Sequence, residues 1–121
     1  MFDHISLKVR DFHKSLAFYT EALAPLGFEA QYLDEQGKSV GFGPKGAVGL
    51  WIAEGAPSSS VHVAFASSNR KGVGEFYEAG LRAGGKDNGG PGLRLDYAKD
   101  YYAAFLVDPD GNNVEAVTHG S

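Results

Sequence analysis

The feature that most constrains this 121-residue chain is an internal repeat with an offset of 58 residues. His4 recurs as His62, and the pair Phe18-Tyr19 recurs as Phe76-Tyr77. Around each landmark, alternation of apolar and polar residues is followed by apolar residues at helical spacing. The sequence therefore predicts two copies of one module of about 55 residues, each too small to bury a sufficient core by itself.

In the first module, the patterning predicts the order β-α-β-β-β. A strand alternates over residues 3–10, Asp11 occupies an N-cap position, and the helical spacing ends near Pro25. Three short extended pieces follow at roughly 29–34, 39–43 and 47–53. The second module repeats this order, with Ser68 or Asn69 as the helix cap and an insertion at about 85–101. We expect a single α+β domain over 1–121, with modules at about 2–55 and 60–119.

Composition excludes several kinds of partner and site. Eleven basic residues stand against fifteen acidic ones, for a net charge of −4 without a basic tract, so no nucleic acid or anionic membrane is expected as a partner. There is no cysteine, which leaves only nitrogen and oxygen ligands for any metal. No apolar run is long enough to span a bilayer, and we expect a cytoplasmic protein.

The repeat brings three candidate ligands together. His4 and His62 occupy equivalent places on the polar face of their strands, so a pseudo-twofold relation points both imidazoles at a common interior. In the last strand, Glu115 faces the same interior, whereas Val114 faces the helix. Counting from the two Pro-containing turns makes Leu50 the first-module counterpart of Glu115.

A carboxylate on an apolar sheet face costs several kcal/mol if it is dry and unpaired. Two neutral imidazoles and Glu115 on a rigid sheet would bind a divalent cation that offsets this cost, leaving positions open for water or substrate oxygens. These ligand types do not select among Zn, Mn, Ni and Fe. Each residue also has a simpler interpretation: a strand histidine is often a core or rim residue, and Glu115 follows a turn that can place it on a solvated face.

The insertion supplies candidate substrate contacts. It is rich in glycine and carries Arg94, Tyr97 and Tyr101, which would present a cation and phenols to an anionic, oxygen-rich ligand. Ser6, on the face of His4, is a further candidate. The alternative is a surface crossing between strands. We expect Trp51 to serve in packing, and we assign no role to the two other histidines of the chain, His13 and His119.

Three segments together resemble the vicinal oxygen chelate superfamily, which includes glyoxalase I, bleomycin resistance proteins, extradiol dioxygenases and fosfomycin resistance enzymes. They are DHISLKV at 3–9, VHVAF at 61–65 and DPDGNNVE at 108–115, and the last is the most specific. The resemblance implies paired βαβββ modules that form a curved mixed sheet around a metal-binding cavity. It also implies that His4, His62 and Glu115 are the metal ligands, with Glu115 at the catalytic centre.

The resemblance implies a metal-dependent enzyme of lyase, transferase or dioxygenase type, with the metal acting as a Lewis acid on a small oxygen-chelating substrate. Glyoxalase I generally has a fourth ligand, a glutamate, where the count places Leu50, so strict glyoxalase I activity is not expected. The alternative is a metal-free binding protein of the bleomycin resistance type. Small members are usually homodimers and some exchange modules, so one site can take His4 and His62 from one chain or from two.

Overall fold

The computed structural model of the protein describes residues 2–57 and 60–121. The predicted boundary between the modules includes residues 58 and 59, which lie outside the described residues. The first module contains β1 (Ile5–Val9), α1 (Phe12–Leu23), a short 3-10 helix (Ala24–Leu26), β2 (Glu29–Asp34), β3 (Ser39–Gly43) and β4 (Leu50–Glu54). The second contains β5 (His62–Ala66), α2 (Arg70–Arg82), β6 (Lys86–Asp87), β7 (Gly92–Leu93), β8 (Tyr102–Val107) and β9 (Asn113–Thr118).

Each helix begins at a side-chain cap that the sequence predicts. The Asp11 carboxylate accepts a hydrogen bond from the Lys14 amide (3.1 Å), and the Asn69 side chain accepts one from the Gly72 amide (2.8 Å). These contacts satisfy amides that have no partner within the first turn of a helix. Asn69, rather than Ser68, is therefore the cap of α2.

The strands form two mixed sheets, in the orders β1-β4-β3-β2 and β5-β9-β8-β6, with β7 also pairing with β8. In each sheet, the first and last strands of the module pair in parallel, and the remaining pairs are antiparallel. The predicted α+β class and the two modules are confirmed. The first module has the order βαβββ, and the second adds one short strand, since β6 and β7 both pair with β8. In residues 2–57 and 60–121 of one chain, however, the two sheets stay separate and do not join into one curved sheet.

The two modules share one core. Helices α1 and α2 pack against each other, and each also packs against its own sheet. Phe18 and Phe76, which the repeat relates, are both fully buried there. Burying each side chain stabilises the fold by roughly 1.5–3 kcal/mol. This shared core is the physical reason that two modules, each thin by itself, fold together.

Close approach of α2 to β8 depends on Gly80. A Cβ built at this position would lie 2.2 Å from the Cδ1 atom of buried Leu106, so any side chain would push the helix off the sheet. Neither helix in the described ranges is long and apolar enough to cross a membrane.

Candidate functional site

The parallel pair β5 and β9 brings His62 and Glu115 onto one face of the second sheet. In their register, His62 pairs with Asn113 and Ala64 pairs with Glu115. Val114 and Ala116 point the other way and are fully buried in the core. Alternation along both strands therefore gives the faces that the sequence predicts.

His62 and Glu115 are in direct contact. Nε2 of His62 lies 2.8 Å from Oε1 of Glu115. The imidazole is 48% exposed and opens onto solvent, whereas the carboxylate is 2% exposed. The pair thus combines an accessible nitrogen with a buried negative charge, a combination that requires close partners for the carboxylate.

Tyr101 provides the second partner of this carboxylate. Its hydroxyl donates a hydrogen bond to Oε2 of Glu115, so both carboxylate oxygens are engaged. Burial of the phenol, with the hydrogen bond to Glu115 as the next cause, raises the pKa of Tyr101 to about 12. Tyr101 is therefore a neutral donor at physiological pH and fixes the orientation of Glu115.

The contact pair opens into a cleft of about 390 Å³. Its lining residues are His62, Tyr97, Tyr101, Phe105, Asn113 and Glu115. Phe105 stacks on the His62 imidazole, with ring centroids 6.3 Å apart and planes at 26°. Tyr97 contacts the Tyr101 ring edge-on at 5.0 Å and is exposed. The cleft combines one imidazole–carboxylate pair with aromatic walls, as small-molecule sites commonly do.

Arg94 lies near this cleft but its guanidinium is turned into its own loop. It donates to the carbonyl oxygens of Gly92 (2.9 Å) and Gly90 (2.7 Å), and it stands 5.3 Å above the Phe105 ring. The arrangement braces the glycine-rich segment. A substrate role for Arg94 stays a prediction.

His4 does not join the pair within one chain. Its Nδ1 lies 2.6 Å from the Asp3 carboxylate on the exposed side of the first module. Across residues 2–57 and 60–121, no group of three or more His, Cys, Asp or Glu side chains is arranged to hold a metal ion. The structure thus brings together two of the three predicted ligands. Ser6 is exposed on β1, in the first sheet, away from the His62 cleft lining.

The predicted counterpart of Glu115 needs a correction. Ser6 pairs with Trp51 in the first sheet, where Ala64 pairs with Glu115 in the second, and the repeat offset relates Ser6 to Ala64. Trp51, not Leu50, is therefore equivalent to Glu115. Leu50 is 2% exposed and packs in the core, as Val114 does. The count from the turns was off by one residue, and one residue changes the face of a strand.

The indole of Trp51 lies against the backbone of the first sheet. A Cβ at Gly41, its cross-strand neighbour, would come within 2.7 Å of the Val48 side chain and 3.0 Å of Trp51 Cζ3, so a glycine here leaves room for both side chains. Tyr32 stacks on Trp51 with centroids 6.1 Å apart and planes at 28°. Tyr32 is 73% exposed and has φ of 55°, a conformation that is rare for an aromatic residue.

The two histidines without an assigned role make surface contacts. His13 Nε2 lies 3.2 Å from Glu35, and His119 Nδ1 lies 3.2 Å from Asp100. His119 also meets the Tyr101 ring edge-on at 5.2 Å. It therefore borders the cleft indirectly, through Tyr101.

The contact pair fits the donor set of a divalent metal. Two ligand atoms that each lie about 2.1 Å from one ion are separated by roughly 3.0 Å at the right angle of an octahedral site and by roughly 3.4 Å at a tetrahedral angle. The separation between His62 Nε2 and Glu115 Oε1 is 2.8 Å, a hydrogen-bond distance that is close to the octahedral value. Imidazole and carboxylate are also the ligand types that Zn, Mn, Ni and Fe accept. These two side chains are thus able to hold part of a metal coordination sphere.

Sequence reasoning missed the structural role of the turn before β9. Asp108 and Asn112 are each 4% exposed and bond to one another, and fully buried Tyr19 of the first module donates to Asp108. The DPDGNN sequence carries a turn signal, but the turn alone gives no reason for its side chains to be buried.

Comparison with known proteins places these features in a family. The family model for the Glyoxalase/Bleomycin resistance protein/Dioxygenase superfamily matches residues 1–116. None of the curated proteins matches the chain at a significant level. A glyoxalase/bleomycin resistance protein from Albidiferax ferrireducens is 27% identical over 97% of this chain and 98% of its own, with a TM-score of 0.83.

Two further solved structures have the same fold at lower identity. One is a variant of the fosfomycin resistance protein FosX from Listeria monocytogenes, complexed with Mn(II) and 1S,2S-dihydroxypropylphosphonic acid; it is 22% identical, covering 100% of this chain and 90% of its own, with a TM-score of 0.71. The other is a glyoxalase/bleomycin resistance protein/dioxygenase family enzyme from Burkholderia phytofirmans. It is 16% identical, with 95% of each chain covered and a TM-score of 0.71. On the family match over residues 1–116, the chain belongs to the Glyoxalase/Bleomycin resistance protein/Dioxygenase superfamily.

Proposed function

We propose that the protein is a metal-dependent enzyme in which His4, His62 and Glu115 bind one divalent ion and a small substrate supplies two neighbouring oxygens. The observation that carries the proposal is the 2.8 Å contact between the accessible His62 nitrogen and the buried Glu115 carboxylate. The similarity in fold to FosX, which is described with Mn(II), supports manganese among the candidate ions. Zn, Ni and Fe suit the same donors.

We further propose that His4 comes from a second copy of the chain in a homodimer. In the described residues, β1 pairs with β4 on one side and β5 pairs with β9 on one side, which leaves the other edge of each strand free. An apolar cavity of about 250 Å³ lies between the modules beside both strands, and Ile5 and Val63 are among its lining residues. Free strand edges next to an apolar cavity favour association with another chain.

When bound, a divalent ion would supply Lewis-acid stabilisation of the negative charge that develops on substrate oxygens. The chain's own residues would hold the reactants in place. Tyr101 orients the Glu115 carboxylate through its neutral hydroxyl, and Phe105 supports the His62 ring by stacking. Isomerisation, ring opening, and addition of water or a thiol all fit this arrangement, as in a lyase or transferase. A dioxygenase would in addition need O2 as co-substrate and a redox-active iron or manganese ion. Arg94, Tyr97, Tyr101 and Ser6 are the proposed substrate contacts.

A second candidate is a metal-free binding protein of the bleomycin resistance type. The stacked rings of Tyr32 and Trp51 favour it, because the exposed Tyr32 ring, which lies on half-buried Trp51 and has a strained backbone conformation, is suited to stacking on a planar ligand. Such a protein needs neither His62 nor Glu115 to bind a metal.

Metal content separates these two candidates. The purified protein, its His62→Ala variant and a His13→Ala control are each incubated with Mn(II), Zn(II), Ni(II) or Fe(II), passed through a desalting column and analysed for bound metal. We expect about one ion per chain in the wild type and in His13→Ala, since His13 lies on the surface beside Glu35, and loss of the ion in His62→Ala. Equal metal retention in all three proteins, or none in any, would contradict the enzyme proposal.

A mixing experiment tests whether the site is shared between copies. His4→Ala and His62→Ala chains are each expected to lack metal binding. If a dimer shares its sites, a mixed dimer carries both lesions in one site and none in the other, so metal binding returns on mixing after exchange of subunits. No recovery, with exchange verified by mass spectrometry, would exclude sharing.

A further inference from the structure

The turn between β8 and β9 holds a buried carboxylate outside the proposed metal site. Asp108 is 4% exposed and accepts four hydrogen bonds. Its Oδ1 accepts from the amides of Asp110 (2.9 Å) and Asn112 (2.8 Å). Its Oδ2 accepts from the Tyr19 hydroxyl (2.5 Å) and the Asn112 side-chain amide (2.8 Å). No ion pair among the described residues includes Asp108, so neutral donors hold its charge.

Asn112 extends this network to the strand that carries His62. Its Oδ1 accepts a hydrogen bond from the Val61 amide (2.9 Å), and the Val61 carbonyl accepts one from the Asn113 amide (2.9 Å). Val61 directly precedes His62, and Asn113 is two residues before Glu115. These two bonds close the ladder at the point where β5 and β9 begin to pair.

The register of this ladder decides the contact between His62 and Glu115. A shift of one residue in either strand would turn its side chains to the opposite face of the sheet. Because Asn112 bonds simultaneously to Asp108 within the turn and to Val61, the residue directly before β5, it selects one register for the pair of strands.

Tyr19 ties the same turn to the first module. It lies in α1, is fully buried, and its hydroxyl reaches Asp108 across 89 positions of sequence. Asp110 makes a parallel contact, accepting a hydrogen bond from the Arg10 amide (2.9 Å). The turn is therefore held by the module that does not contain the contact pair.

We propose that Tyr19, Asp108 and Asn112 form a turn lock that positions His62 beside Glu115. They are positioning residues, and through Tyr19 the helix of the first module determines the geometry of a site in the second. The inference rests on the proposed function in that the positioned pair is taken to bind a metal. Failure of the turn lock can be distinguished from failure of the proposed metal function, because the lock can also be tested by a measurement that needs no metal.

The first readout is Co(II) affinity, measured by competition with a chromophoric chelator. Asn112→Ala removes the side-chain bonds to Val61 and to Asp108. Tyr19→Phe keeps the buried ring but removes its bond to Asp108. Asn88→Ala is the matched control. Asn88 donates an exposed hydrogen bond to the side chain of Asn113, the first residue of β9 (3.2 Å). We expect Asn112→Ala to weaken binding by about 10–100-fold, the usual effect of removing support for a metal ligand. Tyr19→Phe should weaken it less, and Asn88→Ala should bind as the wild type does.

The second readout is NMR of the protein without added metal. The turn lock predicts faster hydrogen exchange of the Val61 amide and shifted His62 ring signals in Asn112→Ala and Tyr19→Phe, with neither change in Asn88→Ala. If the wild type binds no Co(II) and the two lock variants nevertheless show these NMR changes, the metal function is overturned and the lock is supported. If Asn112→Ala does not fold, Tyr19→Phe carries the test. Wild-type His62 signals in the lock variants would overturn the proposal. So would an unchanged Co(II) affinity in both variants when the wild type binds Co(II).

Discussion

Trp51 occupies in the first sheet the position that Glu115 occupies in the second. Both residues stand on the last strand of their module, opposite the residue two places beyond the repeated histidine. An indole does not coordinate metals, so the approximate symmetry of the modules is broken at this position. The proposed metal site consequently has three protein ligands, and its fourth symmetric position is an aromatic surface that Tyr32 extends.

Trp51 is the only tryptophan of the chain and reports on this arrangement. From strand spacings, the backbone of Trp51 is roughly 8 Å from that of His4. If His4 ligates the ion, Co(II) should quench the tryptophan emission of the wild type at one equivalent, and it should not do so in His62→Ala. Zn(II), a d¹⁰ ion, serves as the control because it should bind without such quenching. Stoichiometric Co(II) binding with unaltered emission would place the ion away from Trp51.

Tyr101→Phe tests the hydrogen bond to Glu115. The variant keeps the ring and removes the hydroxyl that donates to Oε2, so the carboxylate loses one of its two partners. We expect metal affinity to fall about 10–100-fold, together with a changed visible spectrum of the Co(II) protein. Tyr97→Phe is the control, because it removes a hydroxyl from the exposed neighbouring ring. Similar losses in both variants would mean that Tyr101 has no special relation to the metal pair.

The sequence predicts well what depends on periodicity and poorly what depends on distant contacts. The repeat and alternation predict both βαβββ modules, the Asp11 cap and the shared face of His62 and Glu115. They do not predict that His4 lies apart, because the strand spacing within a module says nothing about how two modules pack. The equivalence of Trp51 to Glu115 was missed, because a count through the turns differs by one residue from the register of the paired strands. The guanidinium contacts of Arg94 form in a loop that has no period to interpret.

Tyr19→Phe should lower the free energy of unfolding at neutral pH and make it fall less steeply as the pH rises above 10. Loss of a hydrogen bond to a buried charged group costs about 1.5–3 kcal/mol in the free energy of unfolding. Burial, and then the Asp108 carboxylate, raise the pKa of Tyr19 well above its ordinary value of 10.0. Because this pKa is raised, the contribution of the Tyr19 hydroxyl to the free energy of unfolding is fully present below pH 10. It is lost as the pH rises through the pKa of Tyr19 in the folded state.

Urea unfolding of wild type and Tyr19→Phe between pH 8 and pH 11 measures this difference. The difference in the free energy of unfolding between the two proteins should become smaller above pH 10. The other tyrosines titrate alike in both proteins and do not affect this difference. A constant gap across that range would show that the Tyr19 hydroxyl titrates normally.

Glu54→Gln should weaken the link between β4 and the start of α1 at neutral pH. The Glu54 carboxylate accepts a hydrogen bond from the Phe12 amide (3.1 Å) and pairs with Lys38 (3.3 Å). The bond from Phe12 is the main reason that the pKa of Glu54 is lowered from 4.5. A lowered pKa means that the stabilisation is present above pH 4.5 and is lost as pH falls through the folded-state value.

The expected result for Glu54→Gln is a lower thermal midpoint than wild type at pH 7, with the two midpoints converging below pH 4. Glu35→Gln, a surface change beside His13, is the control and should follow the wild type throughout. Midpoints that differ equally at both pH values would show that the charge of Glu54 is not what stabilises the helix.

Arg94→Lys tests whether the arginine serves mainly to brace its loop. Two guanidinium nitrogens reach the carbonyls of Gly90 and Gly92, a fork that a lysine ammonium does not reproduce. We expect faster amide exchange and faster proteolysis within residues 88–97, with global stability within about 0.5 kcal/mol of wild type, as for most surface changes. Arg82→Lys, on the exposed last turn of α2, should change neither. If loop exchange in Arg94→Lys matches the wild type, the bracing contacts are dispensable and the guanidinium is available for a substrate anion.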